Sequence, residues 1–169
     1  SYLDPILMSL ALRRPMNYMA RDSLFRFPVF RRLIRSLNAF PVRRGTADTA
    51  ALKEAMRRLK AGGQVVVFAE GTRTRDGRIG PLLPGVAMLA RRAAEWTVPT
   101  VIDGAFESWP RWRVLPRPGN VVVAYGRPIP QAEARDAEPQ AFMAGVRETL
   151  IAMQADLRRR TGRPPLEYT

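Results

Sequence analysis

The chain of 169 residues contains neither cysteine nor histidine. Without cysteine it can form no disulfide and has no thiolate nucleophile. Because protein zinc sites are built mainly from these two residue types, the same absences argue against a zinc centre, and we expect no metal site. The missing histidine is also the side chain that most often acts as a general base near neutral pH.

Long apolar runs are absent as well. No stretch approaches the roughly 20 apolar residues that cross a bilayer, and the first residues lack the pattern of a signal peptide. Apolar residues nevertheless make up 46% of the chain. Length and composition therefore predict a folded domain with a real core rather than a disordered segment.

Acidic residues are few, at 15 against 28 basic ones, which gives a net charge of +13 that is carried almost entirely by arginine. Such a field attracts polyanions, either nucleic acid or an anionic membrane surface. An arginine-rich composition with solvated helix faces would give the same charge, so the composition alone leaves both interpretations open.

Apolar periodicity predicts alternating strands and helices. The predicted strands are Met16–Ala20, Ala39–Val42, Gln64–Phe68, Val98–Ile102 and Val121–Tyr125. The predicted helices are Pro5–Arg14, Phe30–Leu37, one that Asp48 caps and Gly62 ends, Gly85–Ala94 and Pro139–Arg160. This order indicates a single α/β domain with a mostly parallel, mixed sheet flanked by helices.

Three details of these elements are specific enough to be tested. Leu33, Ile34 and Leu37 should share one face of their helix. The strand at Val121 should pair antiparallel with its neighbour. The basic run from Arg158 should form a frayed tail at the end of the last helix.

The segment Glu70-Gly71-Thr72-Arg73 follows the predicted strand that begins at Gln64. Gly71 permits a tight turn or the close approach of a ligand, and the guanidinium of Arg73 has the shape to bind phosphate. Since open α/β sheets place their sites at the carboxyl ends of strands, a phosphate-binding loop is one interpretation. A solvated turn with a local Glu–Arg pair is the other.

Four blocks in order resemble those of the glycerolipid acyltransferases, the family that includes acylglycerol-phosphate acyltransferase. Glu70 to Arg73 resemble its F-P-E-G-T-R block, with Ala69 in place of proline. Ser1–Pro5 resembles the end of its H-x-x-x-x-D motif, Phe40–Gly45 its second block and Val98–Ile102 its proline-containing fourth block. The resemblance extends to about Ile129.

This resemblance implies a glycerol-phosphate acyltransferase-like fold and transfer of a fatty acyl group from a thioester to the hydroxyl of a lysophospholipid such as lysophosphatidate. It implies that Asp4 orients a catalytic histidine, and that Arg44, Glu70, Gly71, Thr72 and Arg73 bind the phosphate-bearing acceptor. Glu70 would orient Arg73 or a glycerol hydroxyl. No cofactor is expected beyond the co-substrate, a thioester of coenzyme A or of acyl carrier protein.

The motif histidine would stand two residues upstream of Ser1. We therefore expect residues 1–169 to be an acyltransferase domain that is incomplete at its amino end, with an inactive relative as the alternative. We expect the chain at the cytoplasmic face of a membrane with anionic lipid, bound peripherally or anchored by a segment outside it, and we expect no nucleic acid. A non-catalytic module that binds anionic lipid or nucleic acid is the alternative function.

The loop Phe106–Arg117 places Trp109 and Trp112 among arginines. Tryptophan favours the membrane interface and arginine favours anionic headgroups, so one interpretation is a membrane-docking loop. The other is a connection whose tryptophans pack on the body of the domain.

Overall fold

The computed structural model describes residue 8 and residues 14–43, 48–72, 74–110, 113, 115 and 117–168. Its strands are β1 (Met16–Arg21), β2 (Ala39–Val42), β3 (Gln64–Val66), β4 (Trp96–Thr97), β5 (Thr100–Asp103), β6 (Val122–Tyr125) and β7 (Ile129–Pro130). Its helices are α1 (Pro28–Ser36), α2 (Thr49–Lys60), α3 (Pro84–Arg92), α4 (Ala105–Ser108), α5 (Gln131–Asp136) and α6 (Pro139–Arg160). A 3-10 helix, Asp22–Arg26, follows β1.

The first half of the chain forms a parallel sheet with the strand order β2-β1-β3. Tyr18 at the centre pairs with Ala39 on one side and with Val66 on the other. Parallel neighbours need crossover connections, and α1 and α2 supply them. Two antiparallel pairs follow, β4 with β7 and β5 with β6. The predicted mixed α/β fold and the antiparallel strand near Val121 are thus confirmed.

The sheet's two faces are covered by different helices because side chains alternate along a strand. On one face, Tyr18 and Val66 pack with Ile34 of α1. On the other, Phe40 packs with Ala55 of α2. A third cluster joins α6 to α3 and β5 through Phe142, Val146, Leu150, Ala87, Ala90 and Val101.

Several predicted boundaries are confirmed. β2 and α6 have the predicted bounds. Asp48 caps α2 by accepting a hydrogen bond from the amide of Ala51 at 3.0 Å, and Gly62 follows the helix with a φ of +78°. The predicted helix Pro5–Arg14 lies outside the described residues except for residues 8 and 14. No helix in the described ranges is long and apolar enough to span a bilayer.

Leu33, Ile34 and Leu37 were predicted to share one face of α1; Leu33 and Leu37 are exposed by 55% and 53%, and only Ile34 is buried. Two predicted strand bounds were wrong. β3 ends two residues early, at Val66. The strand predicted at Val98–Ile102 begins two residues later, as β5 at Thr100, because Pro99 has no amide hydrogen to give to a ladder. A separate strand that was not predicted, β4, lies before it at Trp96–Thr97.

The basic run at the end of α6 is not a frayed tail. Arg158 is only 5% exposed and donates hydrogen bonds to Asp103 at 2.9 Å, Glu107 at 3.0 Å and the carbonyl of Pro164 at 2.7 Å. Asp103, at the end of β5, also accepts from Arg163. The carboxylate of a buried strand end therefore holds the C-terminal segment on the sheet, a contact that local sequence cannot show.

This network predicts unequal losses of stability. Asp103→Ala would leave buried Arg158 without its main partner and should lower the free energy of unfolding by about 3 kcal/mol. Asp156→Ala, which removes the exposed pairs to Arg159 and Arg160, should cost less than about 1 kcal/mol. Chemical denaturation measures both, and equal losses would show that the Asp103 network is no more important than a surface pair.

Candidate functional site

The carboxyl ends of β1, β2 and β3 lie at one edge of the sheet, as parallel pairing requires. Arg21, the last residue of β1, pairs with Val42, the last residue of β2. Asp22, Arg43 and the segment that leads to Glu70 then leave the sheet at the same edge. The structure thus places the second and third sequence blocks at one end of the fold, where α/β proteins form their sites.

An open cavity of about 490 Å³ lies at this edge. Asp22, Pro41, Arg43, Asp48 and Glu54 contribute to its lining, and apolar side chains provide most of its surface. Glu70, Gly71 and Thr72 do not line it. The described residues of its lining supply one cation and three carboxylates beside an apolar wall.

Asp48 joins the two ends of the loop that carries Arg44. One carboxylate oxygen accepts the amide of Arg43 at 2.7 Å, and the other caps α2 at Ala51. These backbone hydrogen bonds lower the pKa of Asp48, with the bond from Arg43 as the largest cause. The sequence predicted the cap but not the second bond. Arg44 itself, with residues 45–47, lies outside the described residues.

The carboxylate of Glu70 stabilises the loop to which it belongs. Its Oε2 accepts the amide hydrogen of Gly80 at 2.8 Å, ten residues along the chain. Burial raises the pKa of the Glu70 carboxyl above its ordinary value, and the Gly80 amide opposes that shift. The bond gives Glu70 a part in shaping the loop, while its predicted contact to Arg73 or to a glycerol hydroxyl stays a prediction.

Gly71 is at a position that only glycine fits well. Its φ is +64°, and a Cβ there would come within 2.5 Å of Cδ1 of Leu83. The tight turn is closed by a hydrogen bond from the amide of Gly71 to the carbonyl of Phe68 at 2.8 Å. The amide of Leu83 then returns to the carbonyl of Ala69 at 2.7 Å, which closes the loop at its base.

The far side of this loop is held by the end of the chain. Arg147 donates to the carbonyls of Ile79 at 3.0 Å and Gly80 at 3.2 Å, and Gln154 donates to the carbonyl of Gly77 at 3.0 Å. The hydroxyl of Tyr168 accepts the amide of Ile79 at 3.1 Å and donates to Gln154.

Sequence reasoning missed these residues. The available signal was Gln154, a buried polar residue four positions after Leu150 in the apolar stripe of α6. Buried amides need partners, so that position indicated a long-range hydrogen bond.

Of the six predicted site residues, the structure describes three. Glu70, Gly71 and Thr72 form one turn after β3, with Thr72 exposed. Asp4, Arg44 and Arg73 lie outside the described residues, so the roles predicted for them stay predictions. Among the described residues, no cluster of three or more acidic side chains could hold a metal ion.

The structure describes only part of the loop Phe106–Arg117, for which membrane docking was one interpretation. Trp109 is half-buried and donates its indole hydrogen to the carbonyl of Arg113 at 3.0 Å. The hydrogen bond lies within the loop itself, and only the partial burial of the ring favours packing for Trp109. Arg111 and Trp112 lie outside the described residues.

Known proteins match this chain in both sequence and fold. The Acyltransferase family model matches residues 1–103. The chain is 28% identical over 137 residues to the chloroplastic 1-acyl-sn-glycerol-3-phosphate acyltransferase LPAT1 of Arabidopsis thaliana, covering 79% of this chain and 38% of that protein. It is 27% identical over 135 residues to the 1-acyl-sn-glycerol-3-phosphate acyltransferase of Bacillus subtilis, covering 80% and 65%.

A solved structure shares the fold. The 1-acyl-sn-glycerophosphate (LPA) acyltransferase PlsC of Thermotoga maritima superposes with a TM-score of 0.72 at 24% identity, covering 85% of this chain and 57% of that one. The likeness confirms the α/β architecture with its mixed sheet. The chain spans less than two thirds of the length of each of these three proteins.

The raised pKa of Glu70 predicts a pH-dependent effect of substitution. The folded state holds the Glu70 proton more tightly than the unfolded chain does, so ionisation of Glu70 costs stability above the folded pKa. That cost disappears as the pH falls below the ordinary value of 4.5. Glu70→Gln keeps an oxygen that can accept from Gly80, and should be at least as stable as the parent at pH 7, with an advantage that shrinks towards pH 4.5.

Denaturation at both pH values tests this, with Glu70→Ala as the control. The alanine variant loses the acceptor and should be destabilised at both pH values by about 1–3 kcal/mol. If Glu70→Gln loses more stability at pH 7 than at pH 4.5, a nearby cation stabilises the charged form and our account of Glu70 is wrong.

Proposed function

The chain belongs to the acyltransferase family, and from that membership we propose that it transfers a fatty acyl group from a thioester to the hydroxyl of a lysophospholipid such as lysophosphatidate. The observation that carries the proposal is the match over residues 1–103, which contains all four sequence blocks. The relatives named above are acyltransferases of 1-acyl-sn-glycerol-3-phosphate, which supports a phosphate-bearing acceptor.

The proposed reaction needs a base for the acceptor hydroxyl. A histidine upstream of Ser1, oriented by Asp4, takes the hydroxyl proton as the oxygen attacks the thioester carbonyl. The carbon–sulfur bond of the tetrahedral intermediate then breaks, and the departing thiolate receives the proton. The products are the diacyl lipid and the free thiol of coenzyme A or of acyl carrier protein.

The acceptor's phosphate is bound by Arg44 and Arg73 in this proposal, because arginine can donate two parallel hydrogen bonds to phosphate oxygens. Two structural features support it. Described residues on both sides of each arginine are hydrogen-bonded to each other: the amide of Arg43 donates to Asp48, and the amide of Gly80 donates to Glu70. Gly71 turns the chain tightly beside Arg73, which lets the backbone approach an anion.

The place of action follows from the acceptor. A lysophospholipid with a long acyl chain resides in a membrane, and the chain's net charge of +13 suits an anionic surface. We propose action at the cytoplasmic face of a membrane.

The first test is an activity assay on two chains. Residues 1–169 contain no histidine, so transfer to lysophosphatidate should be about 100- to 10,000-fold slower than for a chain extended upstream along its parent gene. The matched control is the extended chain with its motif histidine replaced by alanine, which should be as slow as the shorter chain. Thiol release from an acyl thioester measures all three rates.

Two results would contradict the proposal. Equal rates for the chain with and without the extension would show that the base lies within residues 1–169. An extended chain that binds lysophosphatidate without acylating it would favour the alternative, a non-catalytic binding module for anionic lipid.

A further inference from the structure

Helix α1 keeps most of its apolar side chains outside the core. Val29 is 86% exposed, and Leu33 and Leu37 are exposed by 55% and 53%. Ile34 alone among the helix's residues is buried, where it packs with Tyr18. A core helix would turn these side chains inward, so the exposed face of α1 needs another explanation.

The exposed apolar side chains form one continuous face. At about 100° per residue, Val29, Leu33 and Phe30 lie within roughly 100° of the helix surface, and Leu37, one residue past the helix end, continues the same row. Phe27, just before the helix, is also exposed. We call these five residues the α1 apolar face.

The rest of the helix surface is basic. Arg31, Arg32 and Arg35 are exposed, and none of them forms an ion pair within the part of the chain that the structure describes. No acidic residue occurs between Asp22 and Asp48. A helix with an apolar face and a cationic face is the pattern of segments that lie flat in the interface of an anionic membrane.

Helix α2, on the opposite face of the sheet, differs in each respect. Its large apolar side chains, Leu52, Met56 and Leu59, pack against the core. Its exposed Arg57 is paired with Glu54. The unusual pattern therefore belongs to α1 and is not a general property of this arginine-rich chain.

We infer that the α1 apolar face, with the arginines beside it, docks on an anionic phospholipid bilayer. This inference rests on the proposed function, because an enzyme that acylates a lipid must reach that lipid in a membrane. The α1 apolar face also lies close in sequence to the candidate site. Asp22 lines the cavity at the sheet edge, and Phe27 of the α1 apolar face follows it by only five residues.

The first experiment measures co-sedimentation with vesicles of equimolar phosphatidylglycerol and phosphatidylcholine, and with vesicles of phosphatidylcholine alone. The chain should bind only the anionic vesicles at low salt. Arg32→Gln with Arg35→Gln should weaken binding roughly 30-fold, because each basic residue near such a surface contributes about five-fold. Leu33→Gln with Leu37→Gln should weaken it about ten-fold and should remove the part that survives high salt.

Two controls accompany these variants. Lys53→Gln with Lys60→Gln removes the same charge from exposed positions of α2 and should change binding less than about two-fold. Leu115→Gln changes an exposed apolar residue in the loop Phe106–Arg117 and should leave vesicle binding unchanged. Circular dichroism verifies that each variant is folded.

The second experiment uses the absence of cysteine. Val29→Cys and Lys53→Cys each introduce a unique thiol for a polarity-sensitive fluorophore. Anionic vesicles should shift the emission of the label at position 29 to the blue and leave that at position 53 unchanged. This result does not depend on the stability of a multiply substituted helix.

The results separate docking from catalysis. The same α1 substitutions are made in the upstream-extended chain, whose acyl transfer to lysophosphatidate is measured in detergent micelles. If vesicle binding is lost and this acyl transfer is unchanged, docking through α1 is supported. Vesicle binding without any acyl transfer leaves docking standing and removes the proposed function. Docking through α1 is overturned if both α1 double variants bind like the parent, if the label at position 29 shows no shift, or if the chain ignores vesicles and binds single-stranded DNA through the same arginines.

Discussion

The parallel pairing of β1 with both of its neighbours is the constraint on which the rest of this structure depends. Because β2 and β3 run in the same direction as the central strand, the segments that follow all three leave the sheet at one edge. The same pairing requires a crossover helix between each pair of successive strands and places α1 and α2 on opposite faces. The position of the candidate site and the location of α1 are therefore both consequences of one sheet.

The second half of the chain supports the site that the first half carries. Arg147, Gln154 and Tyr168 hold the loop after Glu70, and all three lie beyond residue 103, where the family match ends. Helix α6 can do this because its apolar stripe packs on α3 and β5 while Arg158 fixes its far end to Asp103. A loop that binds a ligand must hold its geometry before the ligand arrives, so under the proposed function these three residues support the site.

The sequence was informative wherever local chemistry decides the structure. Apolar periodicity correctly predicted the bounds of β2 and α6. Capping preferences correctly predicted Asp48 at the start of α2. Prediction failed where a distant partner decides. Arg158 was predicted to lie in a frayed tail, but it is buried beside Asp103, which is 55 residues away in the sequence. Arg147 donates to backbone carbonyls, which leave no mark in the sequence, whereas the polar Gln154 within the apolar stripe of α6 was a signal.

The central claim is that the carboxyl edge of the parallel sheet binds the phosphate of a lipid acceptor. Hydrogen exchange of the chain with lysophosphatidate, compared with a monoacylglycerol of the same acyl chain, tests it without requiring catalysis. The account predicts that lysophosphatidate slows amide exchange in the segments 40–48 and 68–80 and that the phosphate-free lipid does not. Equal protection by both lipids, or protection confined to other segments, would contradict it.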